Sequence, residues 1–322
     1  MSSPATRSLY LRMGLSLSLL ALVTIGFVVA IWVVFVGILS VFTPPGTAYE
    51  TAAVVTAALL VTVGVVERDR LLHVEQQADA VIVDRDDRPE LYAVVTKVAA
   101  HLDVPVPTIA ISDSTAPEAM AVGFRPGNVH LVLSRGTLEA LSGPELEAVI
   151  AHELAHVKNR DAMVMTVLST PVVLADGLRA RLSEPEDPGA LAFVIVPLLF
   201  VATVVWVVGR TITAVCSRTR EVAADRAAVE ATGSPTALAS ALRTLDERIG
   251  ETPRRDLREV AAVSSLSILP LAPADVETVM LGPEGDVEPT GTTLARVERF
   301  LFRTHPRTAD RLESLAALEQ AQ

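Results

Sequence analysis

The sequence predicts a mostly α-helical membrane protein, with four transmembrane helices and an α+β part outside the lipid that carries a small antiparallel sheet. Three observations predict it. Hydrophobic residues make up 50% of the 322 positions and mean hydropathy is +0.43, more than a soluble chain of this length needs for its core. The excess lies in long uncharged runs within residues 14–66 and 162–209. Outside these runs the chain turns charged, and short alternating segments and amphipathic stretches replace the apolar blocks.

Residues 14–42 carry no charge and are long enough to cross a bilayer with some tilt. Arg7 and Arg12 precede them. The run is too long for the apolar core of a cleaved signal, so it reads as a retained anchor. Residues 51–66 form a shorter run, closed by Glu67-Arg68-Asp69-Arg70. The connection 43–50 holds neither Lys nor Arg, so positive residues flank only the outer ends of this hairpin. The positive-inside rule then places the N-terminus and residues from 67 onward in the cytoplasm. Residues 189–209 are a third strong run, followed by Arg210. Residues 162–175 are weaker: 14 uncharged residues, with Pro171 among them and Asp176 at the end. Length alone favours a buried core helix for them.

Among the soluble elements, Arg88-Pro89-Glu90 opens a predicted helix through His101. Residues 108–112 and 129–133 alternate as strands do. Arg125-Pro126-Gly127-Asn128 signals a turn between the second of these and Ala119-Met120-Ala121-Val122. Ser142 and Glu145 fit a capping box at the head of the next helix. Further helices are predicted from about Arg218 to Ala231, ended by Gly233, from Ser234-Pro235 to about Ile249, and over 307–320. Residues 250–292, rich in Pro, Gly and charge, read as loops.

Net charge is −11 and the pI about 5.1. With no basic stripe to neutralise phosphates, nucleic acid is excluded as a partner. A single cysteine, Cys216, rules out an internal disulfide.

The chemistry starts at His152-Glu153-Leu154-Ala155-His156, on the helix headed by Ser142. Residues at i and i+4 share a helix face, so both imidazoles reach one metal. Neutral imidazole suits Zn²⁺, whose catalytic sites take three protein ligands and keep one position open. A carboxylate next to the first ligand is placed to take a proton from water there. The plain alternative is a solvated helix with two surface histidines. Val149, Ile150, Leu154 and Val157 point instead to burial, where two histidines and a glutamate need a partner. A di-iron bundle would need Glu-x-x-His twice, and Glu153 to His156 supplies it once. For the third ligand the best candidate is Glu221, with Asp225 on the same face bonded to the second nitrogen of a ligand histidine. An exposed acidic face paired with Arg218, Arg220 or Arg226 is the alternative.

Together these pieces resemble the HtpX-type membrane metallopeptidases, which are related to the CAAX prenyl proteases. The matching parts are Ala151 to His156, Asp161, Ser217-Arg218-Thr219-Arg220-Glu221 with Ala224-Asp225, Thr304-His305-Pro306, and the opening pair of apolar runs. The resemblance covers nearly the whole chain. It implies a cytoplasmic zincin-like metallopeptidase domain holding one Zn²⁺ per chain through His152, His156 and Glu221, with Glu153 as general base. It also implies a His305 near the active site, with oxyanion stabilisation and simple packing beside Pro306 both open as its role. Relatives often carry Asn-Ala-Phe-Ala before the hairpin, where an edge strand binds the substrate backbone. This chain has Glu118-Ala119-Met120-Ala121 instead.

One shared zinc constrains topology. His156 precedes the last two apolar segments and Glu221 follows both, so those segments cross the membrane an even number of times. Residues 162–175 must then cross as well, or re-enter under protein cover. The expected organisation is a transmembrane hairpin over 1–66, a first catalytic part over 67–161, a second hairpin over 162–209 and a second catalytic part over 210–322. The expected activity is hydrolysis of membrane or misfolded proteins near the cytoplasmic surface of the cell membrane, with quality control as what the family implies. A zinc-binding membrane scaffold without catalysis and a prenyl-protein peptidase are the alternatives.

Overall fold

The computed structural model describes residues 4–75, 80–123, 127–184, 189–251, 280–281, 287–288 and 304–320. Its elements run α1 (Pro4–Leu39), α2 (Pro45–Glu75), β1 (Ala80–Ile82), α3 (Pro89–Leu102), β2 (Thr108–Ser112), β3 (Ala119–Val122), β4 (His130–Ser134) and α4 (Arg135–Ala140). Then come α5 (Gly143–Lys158), α6 (Asp161–Ser183), α7 (Ala192–Thr232), α8 (Pro235–Glu251), the short pair β5 (Met280–Leu281) and β6 (Val287–Glu288), and α9 (Thr308–Gln320). The stretch 250–292, read as loops, lies largely outside the described residues, but β5 and β6 pair antiparallel within it.

The chain divides into two compact units. The first comprises residues 1–75 and 165–216. It contains α1, α2, most of α6 and the first part of α7. Among the described residues these four helices are long and apolar enough to cross a membrane. Their outward faces carry exposed Leu22, Ile25, Val54 and Phe200, as lipid-facing surfaces do. Inside, Phe27 and Ile31 cluster with Ala175, Leu178, Leu198 and Ala202. α6 and α7 approach closely at Gly209, where an added Cβ would lie 2.8 Å from Val172 Cγ2. Small residues serve helix packing in lipid in this way. The 14-residue run 162–175 does not end as a short core helix, because α6 continues past Asp176 for 23 residues in all, about 35 Å of helix.

The second unit comprises residues 76–164 and 217–322. Its sheet has the order β1-β2-β4-β3. The expected antiparallel sheet is corrected to a mixed one: β2 and β4 pair in parallel, Thr108 opposite His130, while β1–β2 and β3–β4 are antiparallel. The reason lies in the return path. After β2 the chain comes back two positions over as β3, and the hairpin then folds β4 into the gap. Parallel neighbours need a long connection, and here that connection contains β3.

The middle of α5 is buried on every side. Every residue from Ala148 to Ala155 is buried, within a core built with Val95, Ile109, Leu131, Leu133, Leu238 and Leu242. Burying each such aliphatic side chain is worth roughly 1.5–3 kcal/mol, so α5 is a rigid platform.

A second correction concerns α7. The predicted helix from Arg218 continues the apolar run, whose residues 192–209 belong to the same 41-residue helix. Between Gly209 and Gly233 no Pro or Gly interrupts it, and Gly233, at φ 69°, ends it.

Candidate metal centre

The centre lies within the second unit and starts from the ends of α5. At its head the Ser142 backbone N–H donates to Glu145 Oε2 at 2.8 Å. Glu145 also accepts from Ser240 Oγ of α8 at 2.5 Å. One turn apart on the buried face stand His152 and His156.

The two Nδ1 atoms face carboxylates: Asp225 Oδ1 lies 2.9 Å from His152 Nδ1, and Asp161 Oδ2 lies 2.6 Å from His156 Nδ1. A carboxylate accepts, so each Nδ1 carries a hydrogen, and in the neutral ring Nε2 then presents a lone pair. Those two Nε2 atoms lie 3.2 Å apart. Glu221 of α7 completes a triangle, with Oε2 at 3.4 Å from His152 Nε2 and Oε1 at 3.6 Å from His156 Nε2. Ligands about 2.0–2.1 Å from a tetrahedral ion stand about 3.3 Å from one another, so the donor set fits such an ion. Charge agrees. Glu153, Asp161, Glu221 and Asp225 face Arg220 and Arg311; with the four carboxylates ionised and both histidines neutral, the count leaves two negative charges, which one divalent cation would neutralise. Buried Glu221 Oε2 and Glu153 Oε1 have no hydrogen-bond partner among the described residues, an expensive state that a cation and its water would relieve.

Glu153 is held from the other side. The Ala121 backbone N–H of β3 donates to its Oε2 at 3.1 Å, leaving Oε1 buried and without a hydrogen-bond partner among the described residues. β3 is an edge strand of the sheet. Burial raises the Glu153 carboxyl to about 8 against the pull of His152, and Glu221 adds to the rise. At His152 burial works against the charged ring, but Asp225 and Glu221 outweigh it and bring it to about 9. Burial lowers His156, with Asp161 opposing. A dication held by these residues would displace the ring protons and favour the carboxylate at Glu153.

His305 is also brought to the centre. It is buried, with Nδ1 3.7 Å from Glu221 Oε2, too far for a hydrogen bond, and both ring nitrogens lack a hydrogen-bond partner among the described residues. Sequence reasoning missed Arg311, whose Nε and Nη2 bind Asp225 at 2.9 and 2.6 Å. A signal existed: Arg311, Leu315 and Leu318 recur at i, i+4 and i+7, so a charge stands on the apolar stripe of α9. Asp161 was noticed without a role.

Glu118, at the head of β3, makes no direct contribution to the triangle. Its backbone carbonyl accepts from Ser134 N–H and Thr137 Oγ1, and its carboxyl accepts from Ser114 Oγ at 3.2 Å. Burial pushes that carboxyl up to about 7, against the Ser114 bond. The folded pKa thus exceeds the unfolded one, so the stabilising protonated form is lost as pH rises from about 4.5 through about 7. Glu118→Gln is expected to raise the melting temperature more at pH 8 than at pH 5. A pH-independent difference in thermal scans refutes this.

A buried His-Glu-x-x-His helix joined by an acidic donor from a distant helix is the arrangement of zincin-like metallopeptidases, and that is the class this fold and site define. Residues 85–319 match the model of Peptidase family M48, and the chain belongs to that family. Over 319 residues it is 33% identical to Protease HtpX homolog 1 of Streptomyces coelicolor, covering 97% of this chain and 93% of that protein. It is 32% identical to the Protease HtpX homolog of Moorella thermoacetica, covering 96% and 94%. The crystal structure of S. mikatae Ste24p is similar at a TM-score of 0.46 and 18% identity, covering 74% of this chain and 52% of that one. With four membrane-capable helices, the protein is a multi-pass membrane metallopeptidase acting on peptide or protein substrates.

Proposed function

We propose that the protein is a zinc endopeptidase that hydrolyses membrane or misfolded proteins near the cytoplasmic face of the cell membrane, in protein quality control. The observation that carries it is the triangle of His152, His156 and Glu221 donors beside a glutamate with one oxygen free. These three residues would hold the zinc. When bound, zinc supplies a Lewis acid that polarises the scissile carbonyl and acidifies water. Glu153 takes the proton of the attacking water on Oε1 and passes it to the leaving amine, while the Ala121 N–H fixes its other oxygen. The free edge of β3 aligns the substrate backbone as an added strand. His305 donates a hydrogen bond to the oxyanion.

The location rests on connectivity. His156 lies six residues before Ala162 and Glu221 twelve after Gly209, and so short a reach along the chain favours substrates at the membrane surface. Arg7 and Arg12 before α1, and no Lys or Arg over 43–50, orient it toward the cytoplasm. The sole cysteine makes this testable. In a Cys216→Ala background, Gly46→Cys is expected to react with an impermeant maleimide on intact cells, and Ser314→Cys only after lysis. Labelling of Ser314→Cys on intact cells overturns the orientation. Activity is tested with purified protein on casein: cleavage is expected to stop with 1,10-phenanthroline and return with zinc. Cleavage indifferent to the chelator overturns the metallopeptidase reading.

A further inference from the structure

Behind each ligand histidine stand an aspartate and an arginine. His152 Nδ1 meets Asp225, which Arg311 grips with two nitrogens. His156 Nδ1 meets Asp161, whose same Oδ2 lies 3.0 Å from Arg220 Nε, an ion-pair contact without hydrogen-bond geometry. The two arms reach the centre from different elements: Asp225 and Arg220 stand on α7, Asp161 at the start of α6, and Arg311 on α9. Arg311 is 1% exposed and the Arg220 side chain 13%.

We infer that Arg220 and Arg311 are positioning residues of the metal centre, each locking the aspartate that aims one ligand imidazole. This rests on the zinc reading above. An aspartate alone accepts a hydrogen bond from Nδ1 but is free to rotate about its χ angles. A guanidinium on the same carboxylate removes that freedom, and the ring's Nε2 is then held on the metal. The pairs also neutralise two of the four carboxylates, so the charge left matches one divalent ion. A buried ion pair is weak grounds for stability in itself, which makes placement of the ligands the better account of why two recur here in the same relation. Arg311 shares Asp225 Oδ1 with His152 and also holds Oδ2. Asp161 Oδ1 has no hydrogen-bond partner among the described residues. The Arg311 arm is therefore the tighter, and it makes zinc retention depend on the docking of α9.

The test is zinc affinity of the detergent-purified full-length protein, measured by chelator competition, with the visible spectrum of the Co²⁺-substituted form as a second readout. Wild type is expected to hold one zinc per chain; failure there sinks the zinc reading itself. Given that, Arg311→Gln and Arg220→Gln are each expected to weaken zinc binding about 10–100-fold, Arg311→Gln the more, and to shift the Co²⁺ bands. Arg311→Lys keeps the charge but not the two-pronged grip and is expected to recover affinity in part. Unchanged affinity and unchanged Co²⁺ bands in folded variants overturn the inference, even if cleavage falls. If Arg311→Gln does not fold, the more peripheral Arg220→Gln decides.

Discussion

Glu153→Gln is expected to abolish cleavage while leaving zinc in place. The amide oxygen of Gln still accepts the Ala121 N–H that holds Glu153 Oε2 at 3.1 Å, so the side chain stays put. It cannot take a proton. General-base catalysis typically contributes 10²–10⁴-fold, so casein cleavage should fall at least about a hundredfold, with zinc per chain equal to wild type. Equal cleavage by both proteins points to a contaminating protease and ends the mechanism. If neither cleaves and both hold zinc, the scaffold reading takes its place.

The second large effect is expected at Glu221. On the proposed reading it is the one charged ligand, standing 3.4 and 3.6 Å from the two imidazole nitrogens. Changes to groups that merely support a ligand already cost 10–100-fold in metal affinity. Glu221→Gln removes a ligand charge, so its loss should exceed a hundredfold and take cleavage with it. Excess zinc should restore part of the activity. Chelator competition on the variant checks this, and wild-type affinity there removes Glu221 from the ligand set.

How much was legible follows from the range of each interaction. The cap at Ser142, the start of α3 at Pro89 and the end of α7 at Gly233 are written in residues one turn apart. All three appear where the local chemistry puts them. The β3–β4 hairpin was legible for the same reason. The pairing of β2 with β4 was not: seventeen residues separate them and β3 intervenes, so nothing local distinguishes a parallel neighbour from an antiparallel one. The continuity of α7 was missed because an apolar-to-charged change looks like an element boundary, although helix-forming residues run straight through it.

In the centre, the sequence alone determined the spacing of His152, Glu153 and His156, because the α-helical period makes i and i+4 neighbours in any fold. It also determined that long apolar blocks flank that helix, since hydropathy is a property of composition. Only the tertiary structure decided what stands behind the histidines. Arg311 meets Asp225 across 86 positions, and Arg220 reaches Asp161 from another helix. Contacts at such separation form only when α5, α7 and α9 pack on one another, and no local pattern of residues encodes which charge will find which partner.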